Sequence, residues 1–167
     1  QGYIKRQTLD NFRNQKRGGV GKTGGSGKKI DDSAEHLFLS TTHHNILFFT
    51  NRGRVYRQKG YEIPEAGRTA KGTAIINLLP LTQGEKITAV IPVKEFVEDQ
   101  FLFMATNRGT VKKMNLKDLE SARKAGIVAI NLDDKEDLIG VELTDGNSEI
   151  ILATRNGLAI RFDEQDV

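Results

Sequence analysis

Residues 46–57 read Ile46-Leu-Phe-Phe-Thr-Asn-Arg-Gly-Arg-Val-Tyr-Arg57, and the same pattern returns twice further along the chain. It recurs as Leu102-Phe-Met-Ala-Thr-Asn-Arg-Gly-Thr-Val-Lys-Lys113 and as Ile150-Ile-Leu-Ala-Thr-Arg-Asn-Gly-Leu-Ala-Ile-Arg161. Each copy joins an apolar run to a second, base-bearing strand through an Asn/Arg/Gly turn. Such turns supply residues that tolerate positive φ, which a tight hairpin needs. The opening Gln1-Gly-Tyr-Ile-Lys-Arg6 matches the post-turn half alone, so the turn glycines are Gly2, Gly53, Gly109 and Gly157, at steps of 51, 56 and 48 residues. A second element follows in order: Gly72-Thr-Ala-Ile-Ile-Asn-Leu78 aligns with Gly126-Ile-Val-Ala-Ile-Asn-Leu132, 19 residues after Gly53 and 17 after Gly109. One hairpin signal occurs in every β class. Two motifs recurring in the same order at a period of roughly 50 point to propeller-like blades of about four strands each.

Working outward, Ile87, Ala89, Ile91 and Val93 alternate, as do Ile139, Val141 and Leu143, and both runs read as strands. The best helical stretch is Leu116 to Ala122, capped by Asn115, and it spans two turns at most. The spacing therefore predicts an all-β, repetitive chain with three turn-to-turn units and a part-unit at each end. A propeller closes with at least four blades or so, so the chain reads as part of a larger ring. Unpaired sheet edges are expected where further blades would pack, self-paired or covered by the glycine-rich N-terminal region.

Composition narrows the function classes. The 167 residues are 37% apolar with a mean hydropathy of −0.45, and no apolar run approaches the roughly 18 residues of a membrane span. No apolar segment follows the basic N-terminus in the manner of a signal peptide. The absence of cysteine excludes disulfides, thiol catalysis and Cys-based zinc sites, and fits a reducing cytoplasm. Charge is unevenly placed: residues 1–30 carry net +7, leaving −4 for the rest of a chain whose total is +3. Seven of the 17 glycines also fall within residues 1–27. A basic, glycine-rich head on a slightly acidic body suits a polyanion, although the same composition describes a solvated tail.

That head contains Gln15-Lys-Arg-Gly-Gly-Val-Gly-Lys-Thr23, whose second half looks like a phosphate-cradling loop. The full loop needs a glycine where Lys16 stands, a buried strand before it and a helix starting at the lysine. Residues 9–14 are mostly polar, and Gly24, Gly25 and Gly27 follow, each costing about 0.8–1 kcal/mol against Ala in a helix. The ATPase reading is therefore the weakest one.

Gln15-Lys-Arg-Gly-Gly-Val-Gly21 instead closely resembles the box of the C-terminal DNA-wrapping domain of the DNA gyrase A protein, whose pattern is Gln, basic, Arg, Gly, Gly, basic, Gly. Six of the seven positions match, and Val20 departs from the basic residue preferred there. Gly2-Tyr-Ile-Lys-Arg6, Leu9-Asp-Asn-Phe-Arg13, the Asn-Arg-Gly-Arg-Val-Tyr turn, Lys59-Gly-Tyr-Glu-Ile-Pro64 and the Gly72 element resemble the same family's lead-in and blades. The related topoisomerase IV protein shares the blades and generally lacks an intact box. The resemblance implies that residues 1–167 are roughly three of about six blades of a β-pinwheel, with a box loop at 15–22 and repeat turns near 2, 53, 109 and 157. It implies non-sequence-specific binding of double-stranded DNA, bent around a basic rim so that a type II topoisomerase introduces negative supercoils. It also implies a bacterial cytoplasm, at the nucleoid, and partners in the gyrase B protein and the rest of the gyrase A protein in an A2B2 enzyme. Catalysis, ATP and Mg belong to other regions of that enzyme, and no cofactor is expected on this chain.

The residue chemistry expected of the site follows. In the box, the glycines let backbone N–H groups approach phosphate while Lys16, Arg17 and Lys22 supply charge, with Gln15, Gly18, Gly19 and Gly21 completing the loop. Lys5, Arg6, Arg54, Arg57, Lys112, Lys113 and Arg161 follow the repeat turns and are expected to recur on one rim as phosphate contacts. Any one of them alone reads as a solvated strand charge; recurrence is what favours binding. His36, His43 and His44 are poorly spaced for one metal, and Asp31-Asp32 and Asp133-Asp134 read as loop acids. Phe48, Phe49, Phe101 and Phe103 read as core, while Tyr3 and Tyr56 are candidates to face DNA. A protein-interaction propeller is the other alternative; it predicts no basic rim.

Overall fold

The computed structural model describes residues 2–12, 17–19 and 34–167. Among them are eleven strands: β1 (Tyr3–Ile4), β2 (Asn45–Thr50), β3 (Arg54–Lys59), β4 (Thr73–Ala74), β5 (Ile87–Val93), β6 (Phe101–Thr106), β7 (Val111–Asn115), β8 (Ile127–Val128), β9 (Leu138–Thr144), β10 (Glu149–Ala153) and β11 (Ala159–Asp163). No α-helix occurs among the described residues. Leu116–Ser121 forms a 3-10 turn, with the Asn115 side chain accepting the Lys117 N–H at 2.9 Å. The cap is where the sequence placed it, and the helix is of the tighter kind.

Each repeat turn closes through the glycine N–H to the threonine carbonyl: Gly53 to Thr50 at 3.0 Å, Gly109 to Thr106 at 3.1 Å and Gly157 to Thr154 at 3.1 Å. Only the glycines take the left-handed conformation, at φ 73, 87 and 84°, while the Asn and Arg before them keep negative φ. The positive φ is thus concentrated on one residue per turn, where a side chain would cost most.

The sheets do not follow the repeats. One sheet runs β5-β2-β3-β8, all antiparallel, and β8 belongs to the repeat that begins with β6. In the same way β4 pairs with β1, the post-turn strand of the preceding repeat. The Gly72 and Gly126 elements are therefore clasps: each repeat lends a two-residue strand to the outer edge of the one before it. The remaining sheets are β7-β6-β9 and β10-β11, and among the described residues no strand covers the outer edge of β7.

Burial explains the composition of the strands. Ile46, Phe48 and Tyr56 pack on one face of the first sheet with Ile63, Ile75 and Leu79. Leu47, Phe49 and Val55 pack on the other face with Leu102, Met104, Leu138 and Val141 of the next repeat. A sheet buried on both faces needs an unbroken apolar run, as Ile46 to Phe49 supplies. Phe103 is buried as well, while Phe101 is half-buried. The expected alternation of Ile139, Val141 and Leu143 is broken, because β9 bulges at Ile139, opposite Ala105 and Thr106 of β6, and the register resets. Leu138 and Val141 turn inward and Ile139 faces solvent. β5 carries the matching bulge opposite Phe49 and Thr50. Ile151, Leu158 and Ile160 on the last hairpin are exposed.

Candidate nucleic-acid interface

Each of the two inner turns stands on a buried carboxylate. Glu85, 7% exposed, accepts the Thr50 hydroxyl at 2.8 Å, the Thr82 N–H at 2.8 Å and the Tyr56 hydroxyl at 3.1 Å. Glu136, 6% exposed, accepts the Thr106 hydroxyl at 2.6 Å and the Asp133 N–H at 3.3 Å. Burial pushes the Glu85 carboxyl up, but the Thr82, Thr50 and Tyr56 donors outweigh it and hold the group below its ordinary range. At Glu136 the Thr106 hydroxyl leads the same downward shift. Both carboxylates stay charged near neutrality and hold the hairpins. A sequence signal existed for them, since Leu81-Thr-Gln-Gly-Glu-Lys-Ile87 aligns with Leu132-Asp-Asp-Lys-Glu-Asp-Leu138 at an offset of 51 residues. Sequence reasoning missed it.

The hairpins carry the bases, but not all on one face. Cross-strand partners share a face of a sheet, and Arg57 lies opposite Leu47 whereas Tyr56, over which Arg54 stacks, lies opposite Phe48. Arg54 and Arg57 therefore leave β3 on opposite sides, and adjacent Lys112 and Lys113 do the same on β7. The position that recurs on one side is the fourth after each turn glycine, held by Arg6, Arg57, Lys113 and Arg161. Of the seven bases expected on one rim, Arg54 and Arg57, and likewise Lys112 and Lys113, thus leave their strands on opposite sides.

Most of these cations are held by backbone carbonyls. Arg54 Nη2 donates to Ala125 O at 3.2 Å, Arg57 Nη1 to Glu120 O at 2.6 Å, Lys112 Nζ to Ala129 O at 2.6 Å and Lys113 Nζ to Glu164 O at 2.6 Å. Lys5 Nζ donates to three carbonyls, those of Gly67, Arg68 and Ala70, at 3.1, 2.9 and 2.8 Å. Among the described residues, only Arg6 and Arg161 of the seven pair with a carboxylate, with Glu65 at 3.4 Å and Glu149 at 3.5 Å. A carbonyl fixes a cation without neutralising it, so the remaining five keep their positive charge.

Sequence reasoning also passed over the loops that these cations grip. Arg68 and Lys71 precede Gly72, and Arg123 and Lys124 precede Gly126; the recurrence of bases ahead of the clasp glycine was the available signal. Arg57, Lys59, Arg123, Lys124 and Glu62 line a cleft of about 260 Å³ with the buried Asn45. Glu62 pairs with Lys124. Burial raises its carboxyl, and the Lys124 ammonium and Lys59 N–H more than offset this, for a net lowering.

Of the box, only Arg17, Gly18 and Gly19 are described, and all three are exposed. Gln15, Lys16, Val20, Gly21 and Lys22 lie outside the described residues, as do Asp31 and Asp32. Tyr56, expected as a DNA-facing candidate, is fully buried, because its ring fills the space against Gly126 and its hydroxyl is spent on Glu85. Tyr3 is half-exposed with Lys71 Nζ 4.0 Å above its ring. His43 packs edge-on to Tyr61, and His44 shares a 3.1 Å hydrogen bond with Ser40. Among the described residues no helix is long and apolar enough to cross a membrane.

Comparison with known proteins places this geometry. The model of the DNA gyrase C-terminal domain, a beta-propeller, matches residues 1–38, 44–94, 100–145 and 148–167. The DNA gyrase A protein of Halalkalibacterium halodurans is 53% identical over 166 residues, 99% of this chain and 20% of that protein. The gyrase A protein of Escherichia coli is 48% identical over all of this chain and 19% of its own length. The chain thus spans about a fifth of the curated relatives it matches. A solved C-terminal domain of DNA topoisomerase IV superposes with a TM-score of 0.70 at 34% identity, covering 75% of this chain and 39% of that one. A solved DNA gyrase A C-terminal domain shares the fold, with a TM-score of 0.65 at 24% identity over 99% of this chain and 53% of that one.

Proposed function

This chain belongs to the DNA gyrase A C-terminal domain family, and from that premise we propose that it binds duplex DNA without sequence preference and wraps it around the basic outer edges of its blades. The observation that carries the proposal is the base at the fourth position after the turn glycine in all four repeats. Repetition at blade spacing sets cations along a curved path, as bending a polyanion requires. Lys5, Arg6, Arg54, Arg57, Lys112, Lys113 and Arg161 supply the field along that path. The box, Gln15 to Lys22, fixes the entry of the wrap: its glycines admit phosphate to the backbone, and Lys16, Arg17 and Lys22 add charge. A wrap of fixed hand then lets the parent type II topoisomerase introduce negative supercoils. Strand cleavage and the ATP and Mg chemistry sit in other parts of that enzyme, with the gyrase B protein and the rest of the gyrase A protein as partners in the bacterial cytoplasm. Residues 1–167 contribute blades of a larger pinwheel and no catalytic step.

The topoisomerase IV reading rests on the 34% identical solved domain, and the box together with relatives near 50% identity favours gyrase. The test is fluorescence anisotropy on duplexes of unrelated sequence across a salt series, with ligation of nicked circles in the presence of the chain. Affinity is expected to be equal across sequences and to fall with salt at a log–log slope of roughly −0.9 per phosphate neutralised, and ligated circles to carry a changed linking number. A flat salt response or one strongly preferred sequence would overturn the proposal.

A further inference from the structure

Two loops of this chain share an arrangement that the rim alone does not explain. Loop 63–72 is gripped at one end by Arg6, whose Nε donates to Ile63 O at 3.2 Å, and towards the other by the three bonds of Lys5. Loop 120–126 is gripped at one end by Arg57, on Glu120 O, and at the other by Arg54, on Ala125 O. In each case the post-turn strand of one repeat holds the loop of the next, just ahead of the clasp glycine. In each case the gripped loop carries two bases, Arg68 with Lys71 and Arg123 with Lys124. Lys71, Arg123 and Lys124 are exposed and Arg68 is half-buried.

The donor inventory sets Lys5 apart from the loop bases. An ammonium has three N–H donors, and at Lys5 each has a carbonyl within 3.1 Å. Lys5 has none left for a phosphate oxygen unless it releases the loop. Among the described residues, Arg68, Lys71 and Arg123 have no carboxylate partner. Lys124 pairs with the partly exposed Glu62, a contact of the strength that a phosphate displaces.

Building on the DNA-binding reading above, we infer that these two loops make the direct phosphate contacts of their blades, through Arg68, Lys71, Arg123 and Lys124, and that Lys5, Arg6, Arg54 and Arg57 are positioning residues that hold the loops. The cleft between Arg57, Lys59, Arg123 and Lys124 then seats a backbone phosphate between one repeat and the next.

The experiment measures binding of the 167-residue chain to a mixed-sequence duplex of about 40 base pairs over a salt series. R68A/K71A and R123A/K124A are each expected to flatten the log–log slope by about 1.8, two contacts at roughly 0.9 each, with unchanged melting temperature. K86A/K94A, flanking β5 on the sheet edge away from the loops, is expected to leave the slope as it is. K5M is expected to flatten the slope about as much as R68A/K71A, and the triple variant K5M/R68A/K71A no further, because the pair and its holder act as one unit. Loop-pair variants with the parent slope, in a chain that binds DNA steeply with salt, overturn this inference and leave the functional reading standing. A further drop of about 0.9 in the triple variant makes Lys5 a contact in its own right and overturns its positioning role. A parent chain that does not bind duplex DNA overturns both readings.

Discussion

At the scale of single residues, the same glycine in the same motif carries different loads. Gly53 has φ 73°, and a side chain there would run into the Ile130 carbonyl and lie 3.2 Å from Leu132 Cδ1 of the next repeat. Gly109 has φ 87° with nothing within 4 Å of the place a Cβ would take. Gly109→Ala is expected to cost the left-handed strain alone, about 1–2 kcal/mol. Gly53→Ala adds displacement of the segment after β8, at Ile130 and Leu132, and is expected to cost about 2–5 kcal/mol. Urea denaturation of the two variants reads the difference; equal losses would mean that the next repeat does not rest on the turn. The motif was legible in sequence, and its unequal burial was not, since it depends on which copy another repeat covers.

Among elements, the joints between repeats are made by a turn side chain. Asn51 accepts the Lys86 N–H at 2.8 Å just ahead of its own β5 and donates to Asp137 Oδ1 at 3.1 Å just ahead of β9. Its carbonyl accepts the Leu138 N–H at 3.0 Å. Asn107 makes one such side-chain bond, accepting the Asp137 N–H at 3.0 Å. Asn51→Ala is therefore expected to lose about 1–3 kcal/mol and Asn107→Ala about 1 kcal/mol. Hydrogen exchange should show the Leu138 amide opening in the first variant and staying protected in the second. The hairpins could be read from periodicity because both strands lie within one short window. The pairings of β4 with β1 and β8 with β3 could not, as a two-residue strand has no period and its partner lies 69 or more residues away.

For the whole molecule, the buried carboxylates couple stability to acid. Glu164 is raised by burial and lowered by more through the Thr144 hydroxyl at 2.5 Å, the Ser148 N–H at 2.6 Å and the Lys113 charge. With Glu85 and Glu136 also lowered, all three release protons more readily folded than unfolded. Their contribution is complete above the unfolded carboxyl range, near pH 4.5, and is lost as pH falls through the lower folded values. Stability is expected to be level from about pH 7 to about 5 and to fall below about 4.5. Denaturation midpoints across pH check this, and Thr50→Val should make the fall smaller, because removing a donor brings the folded Glu85 carboxyl back towards its unfolded value. The box belongs to this scale too. In the full-length gyrase A protein, changing Lys16, Arg17 and Lys22 to Ala is expected to abolish supercoiling with the gyrase B protein while keeping most DNA affinity, and Val20→Arg to strengthen wrapping or leave it unchanged. A triple-Ala protein that wraps and supercoils normally would reduce the head to a tail.

The sequence by itself determined the repeat, its hairpins, the all-β class and the basic residues after each turn, because each is a local pattern within a dozen residues. It also carried the family, through a box of which the described residues include only Arg17, Gly18 and Gly19. What only the tertiary structure decided is where those bases point and what they hold. Neighbouring strand residues face opposite ways, so Lys112 and Lys113 diverge, and Tyr56 is fully buried. The grip of Lys5 on loop 67–70 joins residues more than 60 positions apart. Carbonyl acceptors have no sequence signature, since every residue supplies one, and the fold alone chooses which of them meets a cation.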